Sequence, residues 1–107
     1  MRIAVYGAGG VGGFWGGLLA RAGHDVCFVA RGAHLAALRQ HGLRIESSVL
    51  GPVTVAPVHA VDRLSGAGVA DLILVAVKAH QMAAVLDDLD EAMGPETVLL
   101  ALQNGVD

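Results

Sequence analysis

Four places in the chain carry residues whose type and spacing could do chemistry. They are the glycines of "YGAGGVGGFWGG", Arg31 after "VCFVA", Lys78 at the close of "LILVAVK", and Asn104 after "VLLALQ". The first contains Gly7-Ala8-Gly9-Gly10-Val11-Gly12, a G-x-G-x-x-G directly after the apolar run Ile3–Tyr6. Between a strand and a helix, Gly7 permits a sharp turn. Gly9 leaves room for a pyrophosphate against the backbone, and Gly12 lets the helix sit close to the sheet. The helix start adds free N–H groups and the positive end of its dipole. The pattern predicts a dinucleotide-phosphate loop made by Gly7, Ala8, Gly9, Gly10, Val11 and Gly12, with a ligand-free glycine turn as the alternative. Gly13, Gly16 and Gly17 lie outside this fingerprint and are read as allowing close helix–sheet contact.

Arg31 follows the second apolar run, Val26–Ala30. A site for NAD places Asp or Glu there, to accept from the ribose hydroxyls. Arginine brings a permanently charged, planar fork that suits a 2′-phosphate, and no carboxylate stands there to repel it. Arg31 therefore predicts NADP(H) as cofactor; the alternative is a solvated surface arginine. Gly32 leaves space beside it, and His34 is read as an ordinary surface residue. Lys78 and Asn104 each follow a further strand-like run. Ligands of open α/β sheets gather beyond the carboxyl ends of the strands. Four strand ends would thus point an unusual residue at one rim, which marks Lys78 and Asn104 as catalytic and cofactor-contacting candidates.

The elements that would position these residues follow from periodicity. Strand-like runs fall at 3–6, 26–30, 43–45, 53–58, 72–77 and 98–102. Helical spacing falls at Val11–Ala22, Ala33–His41 and Gln81–Met93, followed by Gly23, Gly42 and Gly94 as stop signals, with Pro95 blocking continuation. The rhythm predicts an α/β fold: a Rossmann-like, doubly wound, mostly parallel sheet with helices on both faces. Leu43–Val58, with Gly51-Pro52 in its middle, predicts a small edge hairpin.

Composition removes several classes. A net charge of −3 without a Lys/Arg cluster argues against nucleic acid. The longest purely apolar run, Leu72–Val77, is too short for a bilayer. Met1-Arg2 runs straight into a strand, which predicts no signal or transit peptide. One cysteine, Cys27, cannot form an internal disulfide and fits a cytoplasmic location; it is read as a buried apolar residue. The five histidines show no ligand spacing, so no metal is expected. Asp87, Asp88, Asp90 and Glu91 read as the solvated face of the third helix, and Trp15 as helix core or domain interface. The mean hydropathy of +0.59 predicts an apolar face for a partner domain or subunit.

The segments "IAVYGAGGVGG", "VARGAHLAALRQHGLRI", "DLILVAVKAHQ" and "LQNGV" resemble, in order and over nearly the whole chain, the N-terminal domain of the ketopantoate reductase family (2-dehydropantoate 2-reductases). The pairing of "RGAHLAAL" with "VKAHQ…QNGV" is more specific than the glycine loop. The resemblance implies NADPH-dependent reduction of a 2-keto acid, ketopantoate to pantoate in the founding case. It also implies that Gly7–Gly12 hold the pyrophosphate, Arg31 the 2′-phosphate, and that Lys78 and Asn104 line the nicotinamide and substrate cleft. Residues 1–107 are then the NADP-binding domain. The family's helical C-terminal domain, which supplies the general-acid lysine, is a partner outside these residues, and a homo-oligomer is a further possibility. A non-catalytic dinucleotide-binding or redox-sensing module is the second reading, and a Rossmann domain with an idle site the third.

Overall fold

The computed structural model describes residues 1–7, 10–47, 51–77, 82–89 and 92–101. In chain order the elements are β1 (Arg2–Tyr6), α1 (Gly10–Arg21), β2 (Asp25–Val29), α2 (Gly32–His41), β3 (Leu43–Ser47), β4 (Gly51–Val55) and β5 (His59–Val61). A 3-10 turn (Leu64–Ala67), β6 (Ala70–Val75), α3 (Met82–Asp88) and β7 (Met93–Ala101) follow. Five strands form one parallel sheet in the order β5-β2-β1-β6-β7. The chain moves outward from β1 to β2 and β5, then returns to the other side of β1 for β6 and β7. The order therefore reverses between β1 and β6, the doubly wound arrangement that the alternation of elements predicts.

Strand residues alternate between two cores. Ile3, Val5, Val26 and Phe28 face Phe14 and Leu19 of α1, Leu38 of α2, and the β3–β4 hairpin. Ala4, Ile73 and Val75 face Leu64 of the 3-10 turn, Val85 of α3 and Leu89 just beyond it. Both faces of the sheet are thus covered, and no helix among the described residues is long and apolar enough to cross a membrane.

The buried stripe of α1 is made of glycine. Gly12, Gly13, Gly16 and Gly17 are buried, whereas Trp15 is 49% exposed and not in the helix core. A Cβ on Gly16 would lie 2.6 Å from Cε1 of Phe28 and 3.0 Å from Cγ2 of Val5. One on Gly17 would collide with Cδ1 of Ile45 in β3. Gly16 and Gly17 therefore do let helix and sheets approach closely, and the aromatic and aliphatic residues of the sheets fill the space instead.

Three boundaries differ from the sequence pattern. Gly51-Pro52 does not form the hairpin turn; it opens β4 opposite Ser47 and Glu46, and the connection 48–50 lies outside the described residues. The hairpin is a separate two-stranded sheet lying on α1, while the strand at the β2 edge of the parallel sheet is the three-residue β5 after Pro57. Gly23 and Gly42 follow α1 and α2 as expected, and the N–H of Gly42 donates to the carbonyl of Leu38. Gly94 does not stop α3, which ends at Asp88. Gly94-Pro95 sits inside β7, where the register jumps from Ala70↔Met93 to Leu72↔Val98. The Thr97 hydroxyl holds this bulge: it accepts from the N–H of Gly94 at 2.8 Å and donates to the carbonyl of Ala70 at 2.6 Å. An edge strand can host a proline at a bulge because no ladder donor is lost there.

The apolar surplus has a location. Val98, Leu99 and Leu100 of edge strand β7 are all exposed, at 58%, 42% and 48%. Leu86 of α3 and Met93 are also exposed, so the helical pattern Val85–Leu86–Leu89–Met93 buries only Val85 and Leu89. Asp88 departs from a purely solvated face, since its carboxylate accepts from the N–H of Leu64 at 2.7 Å.

The glycine stripe sets a test of the packing. Gly16→Val inserts a branched side chain between α1 and Phe28, and overpacking of this kind costs about 1–3 kcal/mol. Urea unfolding followed by circular dichroism should show the midpoint falling by a corresponding amount. An unchanged midpoint would mean that α1 does not rest on Phe28 through Gly16.

Candidate functional site

The carboxyl ends of β1, β2 and β6 meet at one rim. Tyr6 pairs with Val29 on one side and Val75 on the other, and Val75 pairs with Ala101. The backbone joins the next residues too. The N–H of Gly7 donates to the carbonyl of Val29 at 3.4 Å, and that of Ala76 to the carbonyl of Tyr6 at 2.9 Å.

Gly7 leaves β1 with φ +95°, in the region that residues with side chains rarely adopt. A Cβ there would strike the carbonyl oxygen of Ala76 and lie 3.0 Å from Cγ1 of Val77. A Cβ on Gly12 would strike the carbonyl oxygen of Gly7 and lie 2.9 Å from Cβ of Ala76. The first and last glycines of the fingerprint thus touch each other's space. The turn, the start of α1 and the segment after β6 close into a tight corner at the point where the strand order reverses. Gly10 and Val11 form the first turn of α1. Ala8 and Gly9 lie outside the described residues.

Arg31 is one strand away. It caps α2 with extended backbone (φ −135°, ψ 158°), makes no side-chain cap, and is exposed. Next to it Gly32 has φ +61° and nothing within 4 Å of where its Cβ would stand. The N–H of Ala30 is already used, donating to the carbonyl of Val61 at 3.0 Å. Arg31 is therefore an exposed residue just past the carboxyl end of β2, the strand beside β1. His34, in the first turn of α2, is exposed as expected.

Lys78 and Asn104 lie outside the described residues. What is described is their approach: β6 and β7 run in register up to Val75 and Ala101, on the side of β1 away from Arg31.

This corner fits a dinucleotide. Its cradle consists of positions that a Cβ would fill, a helix begins there, and an exposed arginine follows the neighbouring strand in place of a carboxylate. No three His, Cys, Asp or Glu side chains converge on a metal position among the described residues. Cys27 offers no nucleophile: it is buried in β2, and burial, followed by the charge of Asp25 and opposed by that of Arg2, pushes its thiol up to about 11. The neutral thiol is favoured in the folded chain, so Cys27 takes stability away as the pH rises from about 9 towards 11.

The ketopantoate reductase PanE/ApbA family model matches residues 3–107. The 2-dehydropantoate 2-reductase of Mesorhizobium japonicum is 39% identical over 107 residues, which is 99% of this chain and 32% of that protein. The crystal structure of 2-dehydropantoate 2-reductase from Geobacter metallireducens superposes with a TM-score of 0.89 at 33% identity, covering 100% of this chain and 35% of that one. A ternary structure of D-mandelate dehydrogenase with NADH and anilino(oxo)acetate also matches, with a TM-score of 0.81, 28% identity, and coverage of 100% and 35%. The chain spans about a third of the length of the relatives it matches.

The inert thiol gives a direct check. At pH 8 the folded chain should react with a thiol reagent at least about 100-fold more slowly than the chain in denaturant, because the thiolate fraction and access both fall. Comparable rates would show that Cys27 is exposed.

Proposed function

The chain belongs to the ketopantoate reductase family, and from that premise we propose that it is the NADP(H)-binding portion of a 2-keto acid reductase, with 2-dehydropantoate as the substrate. The observation that carries the proposal is the corner at the strand-order reversal, where Gly7 and Gly12 pack against Ala76 with no room for a Cβ, and an exposed Arg31 follows the adjacent strand.

Gly7–Gly12 hold the pyrophosphate through backbone N–H groups at the start of α1. Arg31 pairs with the 2′-phosphate, and the gap at Gly32 admits it. When bound, NADPH supplies the hydride that reduces the keto carbon. Lys78 and the side-chain amide of Asn104 donate hydrogen bonds to the keto oxygen as negative charge grows on it, a contribution often worth ~3 kcal/mol per donor. The proton that completes the alcohol comes from a second, helical domain, in keeping with the relatives' threefold greater length. The exposed apolar run Val98–Leu100 supports a further domain or subunit against β7. A cytoplasmic location suits this chemistry.

Cofactor choice is the sharpest test. A charge-assisted contact is worth ~1.5–3 kcal/mol, so NADPH should bind on the order of 10- to 100-fold more tightly than NADH. Calorimetric titration of both cofactors should show that ratio, and Arg31→Ala should abolish it while leaving NADH affinity nearly unchanged. Equal affinities in the unmodified chain would remove the 2′-phosphate role and align the chain with the dehydrogenase whose structure contains NADH.

A second test separates binding from turnover. The 107-residue chain should reduce ketopantoate at least ~10²-fold more slowly than a full-length reductase, because general-acid catalysis contributes ~10²–10⁴-fold. NADPH oxidation at high protein concentration reads this directly. Turnover equal to a full-length enzyme would place the proton donor within these residues.

A further inference from the structure

The opposite rim of the sheet holds a cavity of about 430 Å³. It lies at the amino ends of β2 and β5, between the last turn of α1 and the segment joining β4 to β5. Arg21, His24 and His59 are among the residues that line it, together with the apolar Pro57 and Val58. His59 is far in sequence from Arg21 and His24, and the parallel pairing of β2 with β5 brings its strand beside theirs: Cys27 opposes His59.

The charges there are unbalanced. Asp25 also lines the cavity, but its carboxylate faces Arg2 at 3.6 Å. Among the described residues, the side chains of Arg21, His24 and His59 have neither a hydrogen bond nor an ion pair. The helix end does not compete for a donor. The carbonyls of Leu18, Leu19 and Ala20 already accept from the N–H groups of Ala22, His24 and Gly23. A guanidinium and two imidazoles remain as donors, since a neutral imidazole still carries one N–H. Cation binding is disfavoured, because no set of three metal-ligating side chains converges among the described residues.

The geometry points to a second ligand site at this rim, for a small organic anion: one carboxylate or phosphate head held by Arg21, His24 and His59, on an apolar body resting against Pro57 and Val58. The volume lies within the range of small-molecule pockets, and the pairing of a few polar groups with an apolar wall is what such sites share. The site is separate from the Arg31 rim and does not depend on the cofactor reading.

Benzoate and phenyl phosphate are suitable probes, titrated separately into the isotope-labelled chain and followed by amide chemical shifts. Saturable binding with a Kd on the order of 1 mM for at least one probe is expected, with shifts confined to residues 20–26 and 54–59. The tighter of the two identifies the head group. Arg21→Ala, an exposed position, should weaken binding about 10-fold or more, and Arg31→Ala should leave it unchanged. No saturation by either probe at about 10 mM, or binding lost in Arg31→Ala and kept in Arg21→Ala, would overturn the assignment.

Discussion

Everything at the carboxyl-end rim of the sheet depends on how closely α1 can approach the sheet. With glycine at positions 12 and 16 the helix backbone comes within contact of Gly7, Ala76, Phe28 and Val5. A helix carrying the usual leucine or valine stripe would stand further off, since interaxial and helix–sheet distances follow the side chains between them. Its first turn would then move away from the end of β1, and the free N–H groups would no longer border the turn at Gly7. The glycines lower helix propensity by about 1 kcal/mol each relative to alanine. Packing of Phe28 into the space above Gly16 offsets part of that cost, because Phe28 is fully buried there.

The same closeness has a consequence for the other elements. Gly17 lets the β3–β4 hairpin lie against α1, with Ile45 and Leu43 filling the place of a side chain. The hairpin thereby completes the core that α1 alone, poor in large apolar groups on its buried face, could not fill. Ile45 and Leu43 are both buried as a result. On the other face the cover is lighter, from α3 and the 3-10 turn, tied together where Asp88 accepts from the N–H of Leu64. β7 receives the least cover, and its apolar side chains stay in contact with solvent.

The two rims of the sheet differ in kind because the strands are parallel. All carboxyl ends fall on one side, so the residues that follow the strands gather there: the Gly7 turn, Arg31 and the segment at Ala76. All amino ends fall on the other, where the end of α1 and the start of β5 bring Arg21, His24 and His59 around one cavity. His59, distant in sequence from Arg21 and His24, comes to the same rim because β5 pairs with β2.

The sequence by itself determined the alternation of strands and helices, the parallel doubly wound class, and the turn at Gly7. These are local matters: periodicity, the sterics of glycine, and a fixed spacing between a strand and a helix. It also marked Arg31, because the position after the second strand is a fixed offset from the glycine loop. Tertiary structure decided what depends on partners far along the chain. Trp15 reads along the chain as helix core or domain interface, yet it is exposed and glycines form the buried stripe of α1, because the sheet supplies the bulk. Gly94-Pro95 has the signature of a helix stop but serves as a bulge, since Thr97 can reach both Gly94 and Ala70 only when β6 and β7 pair. The three-residue β5 is too short to show a period, and only an open edge on β2 makes it a strand. Local sterics can be read along a chain, whereas a contact between distant residues has no period and exists only once the sheet has formed.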